Sequence, residues 1–150
     1  GTGSVSVEMA LRADQGQVFA VEKKDDAVAL LYENKQRFAA DNLEIIKGEA
    51  PEALKELPVP THAFIGGSSG NLKEIVALLL EKNRDVRIVI NCITLETISE
   101  ALEILKEYDF ADQEAVQLTA SRSKEIGRYH LMMGENPIYI ITCQSPQAQI

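Results

Sequence analysis

Cysteine is scarce in this chain: 150 residues hold only Cys92 and Cys143, with no CxxC pair. That leaves no disulfide framework and no cysteine zinc site, and it suits a reduced compartment, so the expected location is the cytoplasm. No apolar run approaches the roughly 18 residues of a membrane span, and no signal peptide precedes Gly1. Positive charge is also short. Fifteen Lys and Arg face 23 Asp and Glu, a net charge of −8 with a pI near 4.8. An acidic balance of this size argues against nonspecific binding to nucleic acid or anionic membrane. No Ser-His-Asp or Cys-His set and no metal site stands out.

What is present is a single domain's worth of chain, 45% apolar and sufficient for a core. Taken in order, Ser4 caps a helix to about Leu11, with Val7, Ala10 and Leu11 inward. After a turn at Gln15-Gly16, Gln17 to Val21 is an apolar run suited to a buried strand, closed by Glu22. Asp25-Asp26 open a helix to about Phe38 with Val28, Leu31, Tyr32 and Phe38 as its stripe. Leu43 to Ile46 is a strand, and Pro51 starts a short helix to Leu57. His62 to Ile65 is a strand stopped by Gly66-Gly67-Ser68-Ser69-Gly70-Asn71. Leu72, Ile75, Val76, Leu79 and Leu80 mark the next helix, which Asn71 is placed to cap. Val86 to Ile90 is a strand. Thr94 caps a helix to about Tyr108, with Leu95, Ile98, Leu102 and Leu105 inward.

Strands alternating with helices over short connections imply βαβ units and a parallel sheet. The alternation then stops. Glu114 to Ala120 and Pro137 to Cys143 are strand-like and joined by sixteen residues, Ser121 to Asn136, so they form an antiparallel pair at the end of the sheet. Cys92 and Cys143 then fall at the carboxyl ends of adjacent antiparallel strands, at opposite edges of the sheet, too far apart for a disulfide, as buried thiols. The polar tail from residue 144 is expected to fray.

The first residues have the makings of a nucleotide site. A glycine turn, Gly1-Thr2-Gly3, lets backbone approach a ligand, and the following helix offers free N–H groups and a positive dipole end. Glu22, an acid about 20 residues on at a strand end, suits ribose hydroxyls. The same acid could simply cap the next helix, and a dinucleotide oxidoreductase would use a similar turn and acid.

The strings GTGSVSVEMA, VFAVEK, GEAPEAL, FIGGSSGNL, VINCITLET and SRSKEIGRYHLMMGENPIYII occur in an order that resembles the precorrin-6B methyltransferase family of cobalamin biosynthesis. That family is the decarboxylating carbon-15 enzyme, alone or as the C-terminal domain of a bifunctional carbon-5 and carbon-15 enzyme. The resemblance implies a Rossmann-like class I methyltransferase sheet in a single α/β domain, mainly parallel with a terminal antiparallel hairpin. The family's first strand is absent from this chain, which would leave its neighbours with unpaired backbone groups, costly when buried. S-adenosyl-L-methionine is the implied cofactor, held by Gly1, Thr2, Gly3, Glu22, Glu49, Ala50 and Gly66. A precorrin is the implied substrate, facing Gly67, Ser68, Asn91 and Arg122.

Arg122, Lys124 and Arg128 stand out in an acidic chain as partners for tetrapyrrole carboxylates, or as part of a solvated or subunit-contacting hairpin. His62 suits a surface turn and His130 a structural role; no residue is assigned to catalysis. The family resemblance also implies a homo-oligomer, a tetramer, with the hairpin as its contact, and a carbon-5 domain as fusion partner. Two other readings stay open: a class I methyltransferase with another substrate, and a non-catalytic cofactor-binding module.

Overall fold

A computed structural model describes residues 2–108 and 110–144. By their internal contacts they form two units, residues 1–58 and 59–150.

In the first unit, α1 (Ser4–Arg12) leads to β1 (Val18–Glu22), α2 (Asp25–Arg37), β2 (Leu43–Lys47) and a 3-10 turn, Glu52–Leu54. β1 and β2 run parallel, with Val18 opposite Leu43 and Glu22 opposite Lys47. Val7 and Ala10 of α1, Val18 and Ala20 of β1, Leu31 of α2, and Ala40 and Leu43 make one core. Asn42 closes the loop between α1 and β1: its amide Nδ2 donates to the carbonyls of Ala10, Ala13 and Gly16 at 2.9, 3.0 and 2.9 Å. Leu11, expected inside, is exposed, because the narrow helix–sheet contact takes only Val7 and Ala10. On α2 the buried residues are Ala27 and Leu31, one turn apart. Tyr32 and Phe38 lie exposed, and the Arg37 guanidinium covers the Phe38 ring at 5.6 Å. The expected helix from Pro51 shrinks to its 3-10 turn, since so short a segment cannot repay the cost of nucleating an α-helix.

In the second unit, β3 (His62–Ile65), α3 (Leu72–Lys82), β4 (Arg87–Cys92) and α4 (Leu95–Tyr108) are followed by β5 (Asp112–Leu118), β6 (Ser121–Ile126), β7 (Tyr129–Gly134) and β8 (Ile138–Gln144). The four-stranded sheet has the order β3-β4-β8-β5. β3 and β4 are parallel; β8 runs antiparallel to both β4 and β5. Alternate positions of the two central strands fill the core: Ile88, Ile90 and Cys92 from β4, Ile141 and Cys143 from β8. Leu72, Ile75, Val76 and Leu79 of α3 are buried, and Leu80 is partly so.

The sheet is thus less parallel than expected. Among themselves β1 to β4 pair only in parallel, whereas every pairing that involves β5 to β8 is antiparallel. The long connection is not a loop: β6 and β7 form a separate antiparallel sheet around Gly127, whose φ is 64°. Among the described residues β1 pairs only with β2 and β3 only with β4. On α4 the buried residues are Ala101, Ile104 and Leu105, with Ile98 partly covered, while Leu95 and Leu102 are exposed. The small Ala101, passed over in an apolar count, sets the phase of that helix. Both cysteines are buried and free. They lie at the carboxyl ends of the adjacent antiparallel strands β4 and β8, as expected, with Cys92 opposite Tyr139 and Cys143 opposite Ile88. Four residue steps of about 3.3 Å exceed any disulfide's reach. Among the described residues no helix is long and apolar enough to cross a membrane.

Candidate active site

Thr2, Gly3, Glu22, Glu49 and Ala50 belong to the first unit; Gly1 lies outside the described residues. Gly3, not Ser4, occupies the position before α1, with φ 75°. A Cβ there would collide with the Leu31 side chain. This glycine is therefore required by the helix packing behind it, whatever it does for a ligand. The carbonyl of Thr2 accepts a hydrogen bond from Asn34 Nδ2 at 2.8 Å, tying the turn to α2.

Glu22 ends β1. Its carboxylate accepts from the backbone N–H groups of Lys23 and Lys24 at 2.9 and 3.0 Å, immediately before α2. Burial alone would raise its pKa, but hydrogen bonds, those from the N–H groups of Lys24 and Lys23 among them, hold it below the ordinary value. It is an ionised acceptor at neutral pH. Both readings of this acid are visible at once, since it also organises the backbone leading into α2. The ends of β1 and β2 are joined by Gly48 N–H donating to the Glu22 carbonyl at 3.1 Å and by a Lys23–Glu49 ion pair at 2.8 Å. Glu22, Glu49 and Ala50 thus share one edge of the two-stranded sheet. Ala50 precedes Pro51 through a cis peptide.

The second unit contains a cavity of about 370 Å³ at the carboxyl ends of β3 and β4. Gly66, Gly67, Ser68 and Asn91, all singled out from the sequence, line it together. So do Ser69 and Gly70, and Ile93, Thr94, Glu96, Thr97 and Glu100 from the start of α4, which the sequence reading had not assigned to a site. Their signal was the string from Asn91 to Thr97, directly after a strand. The loop turns sharply through left-handed Ser69 and Gly70, at φ 53° and 86°, and the Asn71 N–H closes it on the Ser68 carbonyl at 2.9 Å. Asn71 occupies the cap position of α3, but its side chain makes no capping hydrogen bond. Thr94 does cap α4: its Oγ1 accepts from the Thr97 N–H at 3.2 Å. Asn91 Oδ1 is buried without a hydrogen-bond partner. Ile93 and Leu95 are 65% and 79% exposed at the start of α4.

Arg122 is not part of this cavity. It lies on β6 and pairs with Glu135 at 3.2 Å, with most of its side chain in solvent. Across the β6–β7 ladder, Arg122 faces Met133, Lys124 faces Leu131 and Ile126 faces Tyr129. These six side chains share one face of the hairpin, apolar groups interleaved with cations. His130 meets Glu125 at 3.2 Å on the other face, and the exposed His62 meets its neighbour Thr61 at 3.1 Å, so each has a local structural partner. Among the described residues no group of three or more His, Cys, Asp or Glu is arranged to hold a metal.

Comparison with known proteins bears on this architecture directly. A protein of Pyrobaculum calidifontis named "Probable cobalt-precorrin-6B C(15)-methyltransferase (decarboxylating)" is 40% identical over 144 residues, which cover 95% of this chain and 73% of that one. The cobalt-precorrin-6B C(15)-methyltransferase (decarboxylating) of Salmonella typhimurium is 34% identical, covering 100% and 78%. Among solved structures, precorrin-6y C5,15-methyltransferase from Geobacter metallireducens superposes with a TM-score of 0.87 at 32% identity, covering 97% of this chain and 76% of that one. The fold is that of the class I methyltransferases. The family described as precorrin methyltransferase domain matches residues 1–144, nearly the whole length, and the chain belongs to that family.

Proposed function

We propose that this chain is a decarboxylating C-methyltransferase of corrin biosynthesis, transferring a methyl group from S-adenosyl-L-methionine to carbon 15 of precorrin-6B or its cobalt form. The observation that carries the proposal is the family match across residues 1–144. It is supported by relatives named for this reaction at 34–40% identity over nearly the same span.

The residues fit the cofactor. Glu22 is an ionised acceptor at a strand end, suited to ribose hydroxyls, and Glu49 and Ala50 lie on the same sheet edge, suited to the adenine. Thr2 and Gly3, with Gly1 before them, are assigned to the methionine part. Gly66 is assigned to the cofactor as well. When bound, S-adenosylmethionine supplies an electrophilic methyl group on a sulfur that is already a good leaving group. The chain's own work is alignment and exclusion of water, which needs no acid–base triad. The cavity wall of Gly66, Gly67 and Ser68 gives a flat substrate room beside backbone, and Asn91 stands at its edge. Arg122 is assigned to the carboxylates of the tetrapyrrole. No side chain is assigned to the decarboxylation.

A single domain, a cytoplasmic location, assembly as a homotetramer through the β6–β7 hairpin and cooperation with a carbon-5 methyltransferase domain complete the proposal; nucleic acid and membrane are not partners in it. The decisive measurement is mass spectrometry of cobalt-precorrin-6B incubated with the protein and methyl-labelled S-adenosylmethionine. The product should gain one labelled methyl and lose one CO2. Methylation without loss of CO2 removes the decarboxylating part of the proposal, and absence of transfer removes all of it.

A further inference from the structure

The inward face of α2 runs through Ala27, Leu31 and Asn34, which the spacing of a helix sets on one side. Ala27 and Leu31 are buried and apolar, whereas Asn34 continues their line half-buried and carries an amide. Leu31 and Asn34 both meet the turn before α1, in the same unit of the fold. The Leu31 side chain lies where a Cβ of Gly3 would go. Asn34 Nδ2 donates to the Thr2 carbonyl at 2.8 Å, a contact between residues 32 positions apart. The amide at position 34 thus takes hold of one particular peptide, the one between Thr2 and Gly3.

That peptide has a second polar group. A trans peptide is planar, so its C=O and N–H point in opposite directions. With the Thr2 carbonyl held toward α2, the Gly3 N–H is directed away from it. Among the described residues this N–H donates to no partner. It joins the first N–H groups of α1, which a helix leaves without internal acceptors. Thr2 is exposed, so the turn is open to a ligand. An outward N–H beside the positive end of a helix suits a carboxylate.

On the basis of the methyltransferase function proposed above, we infer that Asn34 is a positioning residue for the methyl donor. By holding the Thr2–Gly3 peptide it aims the Gly3 N–H at the carboxylate of the donor's methionine part, and it touches no ligand itself. The adenosine part, assigned to Glu22, Glu49 and Ala50, does not depend on this peptide.

Calorimetry on the full chain tests this with two ligands. S-adenosylhomocysteine carries the amino-acid carboxylate; methylthioadenosine keeps the adenosine and the sulfur but lacks the amino-acid part. The wild type should bind the first more tightly. Asn34→Ala should weaken S-adenosylhomocysteine roughly tenfold and leave methylthioadenosine within about twofold. Asn34→Leu, closer in size to asparagine, should do the same; alanine and leucine are both strong helix formers, so α2 is kept in either variant. Equal loss of both ligands in the two variants reduces Asn34 to a general structural role and overturns the inference. Unchanged affinity for S-adenosylhomocysteine overturns it as well. A wild type that binds both ligands equally overturns it and leaves the methyltransferase function standing. Failure of the wild type to bind either ligand overturns the function and the inference together.

Discussion

Gly3 illustrates how a residue chosen for one reason turns out to be held by another. From the sequence it was half of a ligand-binding turn, an expectation that rests on spacing and resemblance. The structure adds a left-handed φ and a Leu31 side chain lying where a Cβ would go. No spacing rule could link positions 3 and 31, because their contact depends on how α1 and α2 pack. Replacing Gly3 by Ala should cost about 2–4 kcal/mol in urea unfolding, from left-handed strain and overpacking together. The double change Gly3→Ala and Leu31→Ala should show a coupling energy that favours the pair, since the second removes the collision created by the first. Additive losses would mean that the collision is relieved by movement instead. Asn42, with its three carbonyl acceptors, was equally illegible: a polar residue in a turn gives no sign of what it will tie together.

At the scale of elements, strand positions were easier to read than helix faces. β3 was placed residue for residue, and β1, β2 and β4 within two, because short apolar runs bounded by Gly, Pro or charge leave little choice of register. Helix faces depended on small residues: Ala27 on α2 and Ala101 on α4 fix which side turns inward, and an apolar count that favours Leu and Tyr misses them. The β6–β7 hairpin was legible as a hairpin connection but not as a sheet of its own. Every residue of both strands is exposed, and a two-stranded ribbon is marginal in water by itself. That supports the proposed subunit contact, with Ile126, Tyr129, Leu131 and Met133 sharing one face. In sedimentation, Leu131→Glu should shift the proposed tetramer to smaller species. Arg122→Ala should leave the tetramer intact while weakening tetrapyrrole binding and not cofactor binding. A monomeric wild type rejects the contact, and unchanged tetrapyrrole affinity rejects the role of Arg122.

For the molecule as a whole, order along the chain was legible and spatial order only partly so. Alternating helices and strands implied the parallel half, but nothing in the sequence states that β8 passes between β4 and β5, because that insertion is settled by pairing between distant residues. The response of the folded state to pH includes groups at opposite ends of the scale, the buried thiols of Cys143 and Cys92 and the carboxylate of Glu22. Burial pushes the Cys143 thiol from its ordinary 9.0 to about 11. The unfolded chain therefore gives up this proton first, so the contribution of this thiol is constant below pH 9 and is lost as pH rises from 9.0 toward 11. Glu22 works in the opposite sense. Its folded pKa is depressed, so its contribution is present above about 4.5 and lost as pH falls through its folded value. Urea midpoints followed across the pH range should show both slopes, and Cys143→Ala should reduce only the alkaline one, leaving the share of Cys92. An alkaline slope unchanged in that variant would assign the effect to another group.

The loop between β3 and α3 also bears on engineering. A Cβ added at Gly67 meets nothing within 4 Å, and its backbone is not left-handed, so an alanine enters there without strain in the fold. Gly70 has the same open space but a φ of 86° that resists it. Gly67 is therefore the position from which the cavity could be narrowed by a single carbon, a dial on which molecules are admitted that leaves the scaffold untouched.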